Sequence, residues 1–257
     1  MHDHRRPRDR HRDQHRRHDG ARNEGRRRAE AGGLQLTSPA GVLVEACVES
    51  ARSALAAERV GAGRVELCAN LAEDGTTPPR AELDAAGEQL SIPIVVMIRP
   101  RAGDFVYSPA EVDTMLHQVA AARAGGAAGV ALGTLTTAGD VDEDALRALV
   151  RAAGPLPVTF HRAFDRVRDP ERSLDTLIAA GVARVLTSGG APSAREGLRT
   201  IAALVVRARR RIAIVAGGKV DAESAAALVR DAGIREVHVG DDPARLRAVV
   251  TAVSGSR

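Results

Sequence analysis

From Val42 to the C-terminus the chain alternates short apolar runs with longer segments of helical periodicity, and it does so eight times. The strand-like runs are Val42–Ala46, Arg64–Leu67, Ile94–Ile98, Gly129–Leu132, Pro157–His161, Arg184–Thr187, Arg211–Val215 and Arg235–Val239. Helix-start signals open the segments between them. Ser108, Pro109 and Glu111 supply an N-cap, a first-turn proline and the acid of a capping box, and Ser193 with Glu196 repeats the box. Asp142, Asp169, Asp221 and Asp242 also suit N-caps, while Gly61, Gly125, Gly154, Gly181 and Gly233 fall where helices should stop. Strands separated by helices run parallel, because each helix returns the chain to the same edge. Eight such units predict a closed (β/α)8 TIM barrel. An open doubly wound sheet would also alternate, but no Gly-x-Gly-x-x-Gly follows the first strand and the count of eight favours closure.

A barrel needs roughly 200–250 residues around one core, and about 220 remain once the N-terminal tail is set aside. We place the tail at residues 1–36 and the barrel domain at 37–257. Hydrophobic residues make up 44% of the chain but aromatics only 2%, so the core must be Ala, Val and Leu. No run of about 18 apolar residues reads as a membrane span, and the N-terminus lacks the apolar core of a secretory signal. The expectation is a cytoplasmic protein whose two cysteines stay reduced.

The formal net charge of +4 is misleading. Residues 1–33 carry 11 Arg against 6 acidic residues, so the body is nearly neutral. A nucleic-acid partner is not expected, since the folded part offers neither a basic excess nor aromatics to stack on bases. The tail also holds His2, His4, His11, His15 and His18. Its low hydrophobicity predicts disorder, and its histidines can collect divalent metals.

Polar residues fall at the ends of the strands or just past them: Glu45, Glu66, Arg99, His161, Thr187 and His238. In a barrel these positions rim the C-terminal mouth, where barrel enzymes keep their active sites. Each alone could be an ordinary ion pair, Glu45 or Glu66 with Arg99 for instance. Jointly they predict a binding site, because burying carboxylates, a guanidinium and imidazoles without use is costly. The loop Arg99–Phe105 has two arginines around a proline, suited to a small anionic ligand, and in the loop after His161, Asp165 can pair Arg162 or orient an imidazole. Glycine-rich turns at Gly189-Gly190 and Gly217-Gly218, the latter followed by Lys219, the only lysine, resemble barrel phosphate cradles.

Cys47 and Cys68 each follow a glutamate by two residues, so Glu45 with Cys47 and Glu66 with Cys68 share a strand face. On neighbouring strands two carboxylates and two thiols converge as a possible metal site. A common 21-residue spacing suggests that a register aligning one pair nearly aligns the other.

These segments carry a resemblance. The runs Val44–Cys47, Arg64–Cys68, Gly75–Pro78, Ile98–Phe105, Pro157–Asp165 and Leu186–Gly189 resemble the copper homeostasis protein CutC family, from about Val42 to His238. The resemblance implies a TIM barrel, a cytoplasmic homo-oligomer and a role in copper handling, with Cu(I) held by Cys47 and Cys68. Two thiolates suit that soft ion. The chain departs from the family pattern at Ala102, usually glycine, and in a shortened C-terminus of one helix beyond the eighth strand. Three functional classes follow: a copper-binding protein, a barrel enzyme of unknown substrate using Glu45, Glu66, Arg99, His161 and His238, and a non-catalytic scaffold acting through its tail. Parity places the glutamates in a lower layer with Arg99 and the histidines, and the cysteines in an upper one.

Overall fold

The computed structural model describes residues 41–254 and the first two residues. Apart from Met1 and His2, the tail and its histidines lie outside the described residues. The barrel strands are β1 Leu43–Val48, β2 Arg64–Leu67, β3 Ile94–Met97, β4 Gly129–Leu132, β5 Val158–Phe160, β6 Arg184–Thr187, β7 Ala213–Ala216 and β8 Glu236–Val239. The helices are α1 Ala51–Arg59, α2 Arg80–Gln89, α3 Pro109–Ala124, α4 Glu143–Ala153, α5 Pro170–Ala179, α6 Leu198–Ala208, α7 Ala222–Ala232 and α8 Pro243–Ser254. All strands are parallel and pair in chain order, and β8 closes on β1, which rules out the open sheet. Among the described residues no helix is long and apolar enough to cross a membrane.

The local signals explain the boundaries. Ser108 caps α3 with a full box, and Asp142, Asp169 and Asp221 accept backbone N–H bonds at the starts of α4, α5 and α7. The expected Ser193–Glu196 box forms only in half: the Glu196 N–H donates to Ser193 Oγ, but the Glu196 carboxylate accepts from that hydroxyl rather than from the Ser193 N–H, and the pair sits in the turn ahead of α6, which begins at Leu198 after Gly197. Gly197 is fixed by space, since a Cβ there would stand 1.8 Å from the Ser188 carbonyl oxygen.

Alternate strand residues divide the interior. Val44, Ala46, Val48, Val65 and Leu67 belong to the large core formed with the helices, whereas Cys47, Cys68, Val95, Met97 and Ala131 form a separate small cluster. The outward faces are apolar apart from Thr187 at the end of β6, and the charged strand residues face the barrel axis.

Candidate functional site

The register of β1 and β2 sets the site. Glu45 lies opposite Arg64 and Cys47 opposite Glu66, an offset of 19 residues rather than the 21 that would place like beside like. The two-layer expectation is therefore corrected: Glu66 sits level with Cys47, and Cys47 lies inside β1 rather than beyond it. Convergence of the thiols survives. Cys47 Sγ is 3.7 Å from Cys68 Sγ, and Glu66 Oε2 is 3.6 Å from each sulfur.

From this cluster a chain of alternating charge runs down the barrel. His238 Nδ1 is 2.8 Å from Glu45 Oε1, and its Nε2 is 3.8 Å from Glu66 Oε2. Arg64 is hydrogen-bonded to Glu45 and donates to Glu236 at 2.7 Å, and Arg184 reaches Glu236 at 3.2 Å. Glu45 therefore pairs with Arg64, not with Arg99. Arg64, Arg184 and Glu236 were missed as interior residues because they begin their strands, where charge usually belongs to a solvated edge. The available signal was parity: Arg64 is two residues before Glu66, and Glu236 two before His238.

Burial and charge set the protonation states. Burial alone would raise the Glu45 pKa, but Arg64 and His238 outweigh it and hold the carboxyl well below the usual range. Glu66 is pushed up to about 8, because burial, with the neighbouring Cys47 and Glu45, outweighs the lowering by His238 at 3.8 Å. The hydrogen bond from Cys68 lowers Cys47 to about 6, and the same bond, with burial, drives Cys68 well up. Burial disfavours the His238 cation, yet Glu66 and hydrogen bonds to Cys47 and Glu45 raise its pKa well above the ordinary imidazole value.

Arg99 and His161 form a second group around Phe105. The Phe105 ring centre is 5.0 Å from the Arg99 guanidinium carbon and 5.0 Å from the His161 ring centre. Arg99 is no open anion anchor, because its terminal nitrogens donate to the carbonyls of Glu73, Gly75 and Gly103. Among the described residues only its Nε is left without a partner. His161 is lowered to about 3, first by burial and then by Arg99. Its Nδ1 accepts from the Ala163 N–H at 3.2 Å, so the proton of the neutral ring is on Nε2, which also lacks a partner among the described residues. Asp165 pairs Arg162 at 2.8 Å and orients no imidazole. It also accepts from Thr187 Oγ1, the N–H and Oγ of Ser188 and the Gly190 N–H, so Thr187 serves the loop after β6.

Both groups open onto one cavity of about 810 Å3 at the mouth, whose wall includes Cys47, Glu66, Arg99, His161 and His238. Glu45 and Cys68 lie behind that wall. Two sets of donor atoms approach closely enough to hold a metal: Cys47, Glu66 and Cys68, and Glu45, Glu66 and His238, each within 4.8 Å.

Residues 42–242 match the CutC family. The chain belongs to that family. A mouse protein named copper homeostasis protein cutC homolog is 46% identical over 198 residues, covering 77% of this chain and 73% of its own. A CutC family protein of Xanthomonas campestris is 50% identical over 195 residues, 76% of this chain and 81% of the relative. The solved structure of CutC from Streptococcus agalactiae superposes with a TM-score of 0.75 at 35% identity, covering 79% of this chain and 99% of that one. These CutC relatives put the chain in the copper homeostasis family, and the Streptococcus structure shares its barrel.

The cysteine pair fits a soft metal ion on its own geometry. With metal–thiolate bonds of about 2.3 Å, a linear two-sulfur site would need sulfurs about 4.6 Å apart. The observed 3.7 Å suits a bent pair with a third donor, and Glu66 is the carboxylate at hand.

Proposed function

We propose that this CutC protein binds copper as Cu(I) through Cys47 and Cys68, with Glu66 closing the site, and that it does so in the cytoplasm, where the thiols stay reduced. The 3.7 Å approach of the two sulfurs carries the reading. The names of the relatives support the choice of copper, and the soft donor pair supports the oxidation state. Anaerobic competition with a chromophoric Cu(I) chelator tests it. Replacing both cysteines with serine should remove one tight Cu(I) equivalent and the thiolate-to-copper absorption in the ultraviolet. An unchanged stoichiometry refutes it, and because residues 1–36 contain no cysteine, tail histidines cannot produce that absorption. Sedimentation of the same preparation measures the homo-oligomer that the family resemblance implies.

A second reading is a barrel enzyme of unidentified substrate, favoured by the cavity of about 810 Å3 and by buried polar atoms on its wall residues that have no partner among the described residues, Glu66 Oε1, Arg99 Nε and His161 Nε2. Thermal stabilisation of wild type and of the Glu66→Gln variant by a broad set of small polar metabolites tests it. No stabilising ligand would count against a substrate in this mouth.

A further inference from the structure

Besides Arg99 and Arg162, which are engaged by neighbouring groups, the cavity wall carries three further cations, Arg166, Lys219 and Arg245. None has an ion pair or a side-chain hydrogen bond among the described residues. Lys219 and Arg245 come from the loop after β7 and the first turn of α8, and the Arg245 charge reaches Asp221, two residues beyond Lys219. The loop itself is held in an uncommon shape: Gly218 has φ +106° and Lys219, with a full side chain, φ 55°. A Cβ on Gly218 would come within 2.9 Å of Ser188 Cβ, so bare backbone is required there. The N–H groups of Gly218 and Lys219 have no acceptor among the described residues. The loops after the seventh and eighth strands thus bring unpaired cations and backbone N–H groups without an acceptor among the described residues to one cavity wall, the parts from which barrels build phosphate sites.

A second observation points to a ligand. Arg99 Nε–H and His161 Nε2–H are buried donors without a partner among the described residues, on residues of the same cavity wall. Buried donors are nearly always satisfied, and an oxygen atom of a bound molecule would satisfy both. The Phe105 ring packs against both groups, its centre 5.0 Å from the Arg99 guanidinium carbon and from the His161 ring.

We propose that the cavity binds a small phosphorylated hydroxy- or carbonyl compound. Its phosphate lies on Lys219, Arg245 and the N–H groups of Gly218 and Lys219, and an oxygen of its organic part lies between Arg99 and His161. The proposal rests on the second reading above and gives that substrate its chemical class. It is independent of copper.

Calorimetric titration of the full-length, metal-free protein tests it with three probes: inorganic phosphate, dihydroxyacetone phosphate and dihydroxyacetone. The ester should bind more tightly than inorganic phosphate, and the unphosphorylated ketone far more weakly than either. Lys219→Ala and Arg245→Gln alter exposed side chains, and each should weaken the ester about tenfold or more, as expected for losing one charge-assisted hydrogen bond. His161→Phe should erase the ester's advantage over inorganic phosphate while leaving phosphate binding unchanged. The tail's arginines also attract anions, so the difference between wild type and variant is the quantity read. Ester binding that is equal in wild type and both cation variants overturns the proposal. A ketone that binds as tightly as its ester overturns the phosphate cradle but leaves the cavity standing as a substrate site.

Discussion

Arg64→Met tests the buried charge chain that supports the site. Arg64 is 1% exposed and joins two buried carboxylates, Glu45 and, at 2.7 Å, Glu236. Methionine keeps much of the stem volume and removes the guanidinium, so the loss is electrostatic rather than a cavity. Glu236 retains Arg184 at 3.2 Å and Glu45 retains His238 at 2.8 Å, which places the loss within the about 3–5 kcal/mol typical of breaking a buried pair. For a domain of this size that corresponds to a fall in Tm of roughly 6–20 °C, read by thermal and urea unfolding. Because total stability is about 5–15 kcal/mol, Glu236→Gln provides a milder companion, expected to cost about 1.5–3 kcal/mol. The acid limb gives a second readout. Glu45 has a depressed folded-state pKa, so its stabilisation is present above the ordinary carboxylate pKa of 4.5 and drains away as pH falls below it. Without Arg64 the depression shrinks and that part of the limb flattens. An Arg64→Met protein within about 1 kcal/mol of wild type, with an unchanged acid limb, would refute the coupling.

Iodoacetamide should label Cys47, which lines the cavity, with a rate that rises through pH 6, whereas Cys68, fully buried and with its pKa driven up, should stay unlabelled in the native state; peptide mass spectrometry reads both. Gly197→Ala should lower Tm sharply or prevent folding, since its Cβ meets the Ser188 carbonyl oxygen at 1.8 Å, while Gly87→Ala, with nothing within 4 Å, should be neutral or stabilising. Asp165→Ala removes the acceptor shared by Thr187, Ser188, Gly190 and Arg162, and should cost about 2–4 kcal/mol in urea unfolding and speed proteolysis of the loop after β6.

Whatever the sequence encodes locally was readable. Eight apolar runs, the Ser108 box and the aspartate caps foretold the strands, most helix starts and the barrel, and the paired motifs foretold the family. Register was not readable from spacing. In a barrel the offset between neighbouring strands follows from the stagger needed for closure, a property of all eight strands together. Equal spacing of Glu45 to Glu66 and Cys47 to Cys68 therefore suggested like beside like, while the barrel pairs Cys47 with Glu66. Arg99 failed for a different reason: its donors go to three backbone carbonyls of neighbouring loops, partners with no sequence signature. The phosphate-like turns drew notice, but Arg166 and Arg245 did not, because exposed arginines are common in this chain.

The register also changes what copper would have to displace. With Glu66 level with Cys47 rather than below it, the thiols and the carboxyl form one protonation unit. At pH 7 Cys47, at about 6, is largely thiolate, Cys68 keeps its proton, and Glu66, at about 8, is largely protonated. Thiol ligands must lose their protons to bind metal. A site built from the two sulfurs alone would then release about one proton, from Cys68, whereas ligation by Glu66 raises the count toward two. Titration of Cu(I) under argon in buffers of different ionisation enthalpy measures that number. Glu66→Gln should lower it by about one and weaken binding, and lowering the pH below 6 should raise it as Cys47 becomes protonated in the free protein. A count that is the same in wild type and Glu66→Gln would remove the carboxylate from the site and leave the sulfur pair, despite its bent spacing, to hold the ion by itself.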